Sequence, residues 1–252
     1  MQEVKFPDPN YASTEGLLAT GGDLSVDTLV SAYTQGVFPW FNPGHPILWW
    51  SPDPRLVLYP TEFKCSRSLR KLIKQGKYNV SANTAFNDVI TACATRGKHL
   101  AIDDKVPVSL KTEKDDEPIT WITEDMHGAY IALHQRNFAH SVEVWEDDRL
   151  VGGLYGLQIG KAFFGESMFS VKRDCSKVAL AYLAHYCVQH EIDFIDCQIQ
   201  SEHLISLGAR DITRRNFLRG LREAIADPKR QETEKISAAF SDIRAQDVIT
   251  AA

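Results

Sequence analysis

The stretch HSVEVWEDDRLVGGLYGLQIGKAFFGESMF, residues 140–169, decides the predicted fold. It divides into three segments rich in strand-forming residues, and Asp147 and Asp148 supply a turn between the first two. SKVALAYLAHYCVQH, residues 176–190, then reads as a helix, and FIDCQIQ, residues 194–200, reads as a further strand. A meander followed by a helix and a strand predicts an α+β fold with a mixed sheet, in which the last strand runs beside an earlier one.

Shorter helices are predicted before this region. Capping residues, apolar spacing and terminal glycines predict helices over Ser25–Gln35, Ser66–Gln75 and Thr84–Ala94, and a further helix that Thr123 caps. The prolines of VFPWFNPGHPILWWSPDPR, residues 37–55, exclude a helix there and predict extended backbone crowded with aromatic residues.

The same reading divides the chain into three parts. Residues 1–62 are expected to form a small N-terminal α/β domain, and residues 63–225 a larger mixed-sheet domain. Residues 96–118 lose periodicity and gather charge, which predicts a loop. The weakly patterned residues 226–252 are expected to be a peripheral tail.

Composition narrows the class of protein. With 252 residues, 44% hydrophobic and 24% charged, the chain is predicted to be an ordinary globular protein with a sizeable core. The net charge of −5 argues against a surface coated in basic residues, so any contact with nucleic acid must rest on a local patch. No basic leader and no apolar run of about 20 residues is present, so we expect a cytoplasmic protein without a membrane span.

Cysteine usage argues against a disulfide framework and against a metal centre. The cysteines are odd in number and form no C-x-x-C pair, which favours reduced thiols. His185, Cys187 and His190 fall in one predicted helix, but no second ligand pair at finger-like spacing completes a zinc site. We therefore expect no metal.

The predicted helix that begins at Ser66 carries the clearest electrostatic signal. Its basic residues lie within about 100° of one another on one face, opposite leucine and isoleucine. A solvated surface would explain an isolated charge run, but the absence of any acid between Lys64 and Lys77 favours a phosphate-binding surface. The basic residues are Arg67, Arg70, Lys71 and Lys74. A second cluster is less clean because Asp211 and Glu223 are close to it; it comprises Arg214, Arg215, Arg219 and Arg222.

Tryptophans near such a surface can stack on unpaired bases, at about 1 to 3 kcal/mol per base. Trp49, Trp50 and Trp121 are candidates. Neighbouring strand residues point to opposite sides, so at most one of Trp49 and Trp50 is expected to face a ligand, and the other to lie in the core. Trp121 could equally be a packing anchor.

Glu166 stands in an apolar run, where an unpaired buried carboxylate would be costly. We expect it to be paired with a cation or held for function. Apolar residues from the same region could line a pocket, although each taken alone would be ordinary core. They are Leu154, Phe163, Leu180 and Leu183.

The strand FIDCQIQ places Asp196 and Gln198 on one face and Ile195, Cys197 and Ile199 on the other. A carboxylate and an amide side by side can orient and polarise an attacking group. Spacing alone is weak evidence, because solvated Asp-x-Gln pairs are common. A nucleophilic pair of Cys197 and His203 is weaker still, since Cys197 is predicted to point to the apolar face.

Separated blocks of the sequence, in order, resemble the leucyl/phenylalanyl-tRNA–protein transferase family. The resemblance covers roughly residues 6–222. The blocks are GLLATGGDLS (16–25), GVFPWF (36–41), ILWWSPDPR (47–55), SRSLRK (66–71), TWIT (120–123), HSVEVW (140–145), LVGGLYG (150–156), FFGESMFS (163–170), SKVAL (176–180), IDCQ (195–198) and SLGAR (206–210).

This resemblance implies a small N-terminal domain and a C-terminal domain with an acyl-CoA N-acyltransferase-like (GNAT-like) fold. It also implies transfer of leucine or phenylalanine, and less well methionine, from aminoacyl-tRNA to a protein's N-terminal Arg or Lys. Such transfer marks the acceptor for degradation in the bacterial N-end rule pathway. We expect a cytoplasmic monomer that needs no cofactor.

The resemblance assigns roles residue by residue. Asp196 and Gln198 match the proposed catalytic pair, Trp49 and Trp121 match residues that hold the terminal adenosine, and Glu166 matches a polar contact. The four apolar residues named above match the pocket for the transferred side chain, and the basic helix matches the surface for the tRNA acceptor stem. Leu154 stands where methionine is common, which bears on the preference among Leu, Phe and Met.

The implied reaction is aminolysis of an activated ester, so Gln198 is expected to position the amine while Asp196 fixes Gln198 and assists proton removal. One alternative is an acyl-CoA-dependent N-acyltransferase. Against it, FSVKRDCSKVAL (169–180) lacks the glycines of a pyrophosphate loop. Another alternative is a non-catalytic RNA-binding module, which leaves Glu166 and Asp196 unexplained.

Overall fold

The computed structural model describes residues 2–95, 121–226 and 236–250, so the predicted loop at 96–118 lies outside the described residues. The chain folds as a mixture of helices and sheets with a small N-terminal part, which confirms the α+β prediction. The described chain contains no helix long and apolar enough to cross a membrane.

The N-terminal part contains a small sheet and one helix. Its strands are β1 (Leu17–Thr20), β2 (Phe38–Pro39) and β3 (Leu48–Trp50), in the order β1-β3-β2. Helix α1 (Val26–Thr34) begins where predicted, because the Ser25 hydroxyl accepts a hydrogen bond from the Thr28 amide.

A seven-stranded sheet in the order β10-β4-β9-β8-β7-β6-β5 forms the rest of the framework. Its strands are β4 (Arg55–Leu58), β5 (Asn79–Ala82), β6 (Ala139–Glu146), β7 (Arg149–Ile159), β8 (Ala162–Ser170), β9 (Phe194–Gln198) and β10 (Arg210–Ile212). β8 and β9 pair in parallel and the other neighbours pair antiparallel. The predicted meander is confirmed, as is the prediction that the strand after the long helix lies beside an earlier one.

Helices cover both faces of this sheet. They are α2 (Arg67–Lys74), α3 (Phe86–Ala94), α4 (Glu124–Gln135), α5 (Cys175–Gln189), α6 (Glu202–Ser206), α7 (Arg214–Ala224), α8 (Ile236–Ser241) and α9 (Ala245–Thr250). Neighbouring residues of β7 enter different cores, as the strand period requires. Tyr155 packs in the core that contains residues of α1, α3, α4 and α7, whereas Leu154 packs in the core that contains residues of α2, α5, α8 and α9.

Two features differ from the sequence expectation. Strand β4 hydrogen-bonds within the large sheet, between β10 and β9, although the expected boundary at residue 62 put it with the N-terminal part. The tail also differs, because α8 and α9 bury Ile236, Phe240 and Val248 against the large domain. Short helices of this kind give weak periodicity, and tertiary packing stabilises them.

Candidate active site

The candidate site lies where two parallel strands separate. β8 and β9 pair only from Ala162 opposite Phe194 to Phe164 opposite Asp196. Residues of both strands beyond these pairs line a cavity of about 370 Å³. The gap that opens between the two strands therefore supplies a pocket within the framework of the sheet.

Backbone irregularities occur at this point in both strands. In β8, Glu166 is the extra residue of a bulge, because Gly165 pairs with Gly156 and Ser167 pairs with Tyr155. In β9 the register shifts in the same way around Cys197. Bulges redirect side chains and end regular pairing, which accounts for the separation of the strands.

One wall of the cavity is apolar. The structure brings together all four residues predicted for a pocket, from β7, β8 and α5: Leu154, Phe163, Leu180 and Leu183. Ile195 and Leu204 extend this wall. The wall fits an apolar side chain by shape and by the hydrophobic effect.

The polar part of the cavity lining includes Glu166, which accepts hydrogen bonds through both carboxylate oxygens. Oε1 accepts from the Tyr33 hydroxyl at 2.7 Å and from Gln198 Nε2 at 2.9 Å, and Oε2 accepts from the Tyr130 hydroxyl at 2.7 Å. Burial raises the pKa of Glu166 to about 7, against the lowering effect of the two tyrosine hydrogen bonds. Glu166 can therefore exchange a proton near neutral pH.

Asp196 occupies a different position from the one predicted. Its side chain is fully buried, and its two oxygens accept from Arg55 Nε at 2.8 Å and Arg55 Nη2 at 2.7 Å. Oδ1 also accepts from the Gln198 backbone amide at 2.9 Å. Asp196 is absent from the described lining of the cavity, and its hydrogen bonds go to Arg55 and to the backbone of Gln198.

Gln198 does reach the cavity. Its φ of 64° ends the strand alternation, so Asp196 and Gln198 do not act side by side from one face as the period predicts. The predicted apolar face also ends here, because Ile199 lies beyond the last residue of β9 and is 46% exposed. Cys197 lies at the cavity, and burial raises the pKa of its thiol, so its thiolate is disfavoured.

The two tryptophans predicted to hold adenosine, Trp49 and Trp121, lie in different surroundings. Trp49 is only 2% exposed, and its indole donates to the Gly21 carbonyl at 2.8 Å, so it belongs to the core. Trp121 does line the cavity, and the second tryptophan there is Trp40, which is 41% exposed. Trp50 packs against Trp40, with ring centroids 5.9 Å apart.

The basic helix α2 has the predicted amphipathic structure, with Leu69 and Ile73 buried. Arg67, Lys71 and Lys74 are exposed and line a surface groove of about 350 Å³ together with Arg70. Arg70 is also engaged in packing, because its guanidinium donates to the Cys65 carbonyl at 3.0 Å and to the Ile249 carbonyl of α9 at 3.1 Å.

Sequence reasoning missed Arg55, Tyr33, Tyr130 and Trp40. Arg55 could have been found from the sequence, because it begins the apolar segment RLVLYP. An arginine buried there would need an acidic partner, which predicts a buried ion pair. Tyr33 and Tyr130 carry no such signal, since tyrosine on the apolar stripe of a helix reads as core. Trp40 lies in the aromatic, proline-rich segment at residues 37–55. This segment has no regular periodicity, so its sequence does not show which aromatic rings are exposed and which are buried.

Two further observations bear on ligands. The described residues contain no group of three or more His, Cys, Asp or Glu side chains that could hold a metal ion. A second cavity, of about 580 Å³, lies on the N-terminal part and α4. Its lining includes Gly21, Phe41, His45, Asp125 and Gly128.

Comparisons with known proteins show which family the chain resembles. The sequence model of the leucyl/phenylalanyl-tRNA protein transferase family matches residues 57–222, and that of its N-terminal domain matches residues 22–53. Relatives with the name leucyl/phenylalanyl-tRNA–protein transferase align over most of both chains. The relative from Desulfatibacillum aliphaticivorans is 46% identical over 90% of this chain and 91% of its own. The relative from Nitrosomonas europaea is 49% identical over 90% of this chain and 89% of its own.

A solved structure, that of L-PGS from Bacillus licheniformis, gives a TM-score of 0.38 at 8% identity, over 71% of this chain and 55% of that chain. A likeness this low carries no conclusion about fold or function. The family matches and the close relatives lead to one conclusion. The chain belongs to the leucyl/phenylalanyl-tRNA–protein transferase family, and it is an aminoacyltransferase that moves an amino acid from aminoacyl-tRNA to protein.

Proposed function

We propose that the cavity between β8 and β9 transfers leucine or phenylalanine, and less well methionine, from aminoacyl-tRNA to an N-terminal Arg or Lys of a protein. The new peptide bond would create an N-end rule degradation signal. The observation that carries this proposal is the shape of the cavity, where an apolar wall meets the hydrogen-bonded pair Glu166 and Gln198. An aminoacyl ester presents the matching combination of an apolar side chain beside a reactive carbonyl.

The apolar wall is the proposed site for the side chain of the transferred amino acid. A pocket of this kind discriminates by about 1 to 3 kcal/mol per methylene. It therefore separates leucine from small or polar residues well and from methionine poorly. Leu154 is a shape-determining position in this wall, because it lies at the cavity from β7.

For the terminal adenosine we propose Trp40 and Trp121, in place of the pair Trp49 and Trp121. Both rings border the same cavity, and indole faces stack on bases without sequence preference. For the acceptor stem we propose α2, with Arg67, Lys71 and Lys74 as phosphate contacts and Arg70 at their edge.

The chemistry proposed is attack of a neutral amine on the ester carbonyl. The α-amine has an unperturbed pKa of about 7.7 to 8.0, so a useful fraction is neutral near pH 7. Gln198 positions the amine, and Asp196 with Arg55 fixes the backbone that carries Gln198. Most of the rate would come from holding amine and ester in register.

We also infer an acyl-CoA N-acyltransferase-like arrangement for the large domain. The support is the parallel pair β8 and β9, joined by α5, that separates at the cavity.

The domain division proposed here lies near residue 54, because β4 belongs to the large sheet. A cytoplasmic, monomeric protein remains our expectation.

One assay tests the function. The protein is incubated with radiolabelled Leu-tRNA and a peptide that begins with Arg, beside a matched peptide that begins with Glu. Labelled Arg peptide, and little or no labelled Glu peptide, is expected. Equal labelling of both peptides would contradict the proposed acceptor class. Transfer from leucyl-CoA without tRNA would favour the acyl-CoA-dependent enzyme instead.

A further inference from the structure

Three oxygen-bearing groups form a closed ring beside the cavity. The Tyr33 and Tyr130 hydroxyl oxygens lie 2.6 Å apart. Each hydroxyl also lies 2.7 Å from a carboxylate oxygen of Glu166. All three distances are within the range of O–H···O hydrogen bonds, so each contact calls for a hydrogen between its two oxygens.

The two tyrosines supply only two hydrogens for these three contacts. If Glu166 were ionised, both hydroxyls would donate to it, and their oxygen lone pairs would face each other at 2.6 Å. A proton on Glu166 completes the ring, because the carboxyl then donates to one tyrosine, which donates to the other, which donates back to the carboxyl. We propose that Glu166 is a neutral carboxylic acid in the free site, and that the ring Tyr33–Tyr130–Glu166 exchanges a proton with the substrates.

The surroundings favour the neutral form. Arg55 is committed to Asp196 by two hydrogen bonds, so it offers no compensating charge to Glu166. Burial is the main cause of the raised pKa of Glu166, and the negative charge of Asp196 adds to it. The titratable groups that interact with Glu166 are the hydroxyls of Tyr33 and Tyr130, the Asp196 carboxylate, which Arg55 neutralises, and Tyr155, whose pKa the charge of Glu166 raises in addition to burial.

Glu166 is also the group at the cavity that titrates near neutral pH. Tyr155 and Cys197 are the other titratable residues in its described lining, and burial raises the pKa of both away from neutrality. Tyr33 and Tyr130, whose pKa values burial also raises, are positioning residues that tune the carboxyl. A proton can therefore move to and from the substrates through Glu166.

The proposed step rests on the proposed transfer function. The amine nitrogen bonds to the ester carbonyl carbon and gives up one proton, while the bond from that carbon to the ribose oxygen breaks and the oxygen gains one proton. Glu166 donates the proton of the ring to the ribose oxygen and takes the nitrogen proton in return. The ring is unchanged after one turnover, and Asp196 takes no part in proton transfer.

The first test reads the carboxyl directly and needs no transfer activity. Infrared difference spectra of the full chain are recorded across a pH titration, because the carbonyl stretch of a neutral carboxylic acid is resolved from that of a carboxylate. A band that disappears as pH rises through about 7 is expected in the wild type and not in Glu166→Gln. Absence of such a band at acidic pH would overturn the proposal, even if the transfer assay succeeds.

The second test covers the case in which Glu166→Gln fails to fold. Tyr33→Phe and Tyr130→Phe each remove one hydroxyl from the ring and so change the hydrogen bonding of Glu166, and the midpoint should move by about one pH unit from its wild-type value. The acidic limb of the single-turnover rate should move with it. Tyr186→Phe is the control, because this buried hydroxyl donates to Gln158. Midpoints that stay at the wild-type value in both ring variants would contradict the proposal.

Discussion

Asp196 shows why a residue's surroundings decide its role. Its carboxylate meets the guanidinium of Arg55 in a fully buried two-bond pair. The cation lies between two aromatic rings, 4.7 Å from the centroid of Phe38 and 4.4 Å from that of Phe217. Such a pair fixes geometry, and removal of one partner leaves the other charge buried and unpaired.

We therefore expect Asp196→Asn to lower the free energy of unfolding by about 3 to 5 kcal/mol. Urea unfolding at neutral pH measures it, and Asp211→Asn, which changes an exposed carboxylate, is the control. Loss of transfer activity with unchanged stability would instead favour the direct chemical role that the sequence suggested.

Trp40 and Trp49 differ in exposure and so in the expected effect of substitution. Trp40→Ala should weaken binding of aminoacyl-tRNA by about 1 to 3 kcal/mol, the usual range for loss of a stacked base. Trp49→Phe should mainly reduce stability, because it removes a buried ring edge and the hydrogen bond to Gly21. Fluorescence titration with a 3′-terminal tRNA fragment separates the two, and equal weakening by both variants would count against this assignment.

At the scale of single residues, the sequence predicts which residues belong to the candidate site better than it predicts where their side chains point. The four apolar pocket residues and Glu166 meet at one cavity because each lies on a regular strand or helix or at its bulge. Trp49 and Asp196 depart from prediction where the strand period gives two faces but does not say which one is buried. The left-handed backbone of Gln198 is likewise invisible to a period-2 reading.

At the scale of elements, α2 and α7 offer a direct comparison, since both carry exposed arginine or lysine. Combined substitution of Arg67, Lys71 and Lys74 by Ala should reduce the slope of log K against log salt for tRNA binding by about 0.9 per lost phosphate contact. Arg215, Arg219 and Arg222 of α7, which are also exposed, form the matched control set. The assignment fails if the α7 set changes the slope as much as the α2 set does.

The C-terminal helices α8 and α9 differ most from the sequence prediction, which expected a peripheral tail. Phe240 of α8 is 2% exposed and packs 5.4 Å from the ring centroid of Tyr186 in α5. Its helix is too short to show a clear apolar stripe, so the packing appears only in three dimensions.

Phe240→Ala should lower the free energy of unfolding by about 3 kcal/mol, through lost burial and the cavity left behind. Arg244→Ala is the control, because its ion pair with Asp247 is largely exposed and is worth about 1 kcal/mol or less. Urea denaturation compares the two. A cost for Phe240→Ala no larger than that of the control would show that the tail does not contribute to the core.

At the scale of the molecule, the seven-stranded sheet brings distant residues together. Tyr33, Tyr130, Glu166 and Gln198 come from α1, α4, β8 and β9, so no local pattern could have predicted their hydrogen bonds. Sequence predicts that β8 and β9 lie near each other because a helix, α5, joins them, and consecutive elements are usually adjacent in space. It does not predict where the two strands separate, which depends on bulges in both.

We propose that the cavity between β8 and β9 holds the aminoacyl end of the tRNA. A crystal structure with a non-hydrolysable phenylalanyl-adenosine analogue tests this claim directly. We expect the phenyl ring against Leu154, Phe163, Leu180 and Leu183, with the adenine against Trp40 and Trp121. An analogue bound instead in the cavity beside His45 and Asp125 would contradict this assignment.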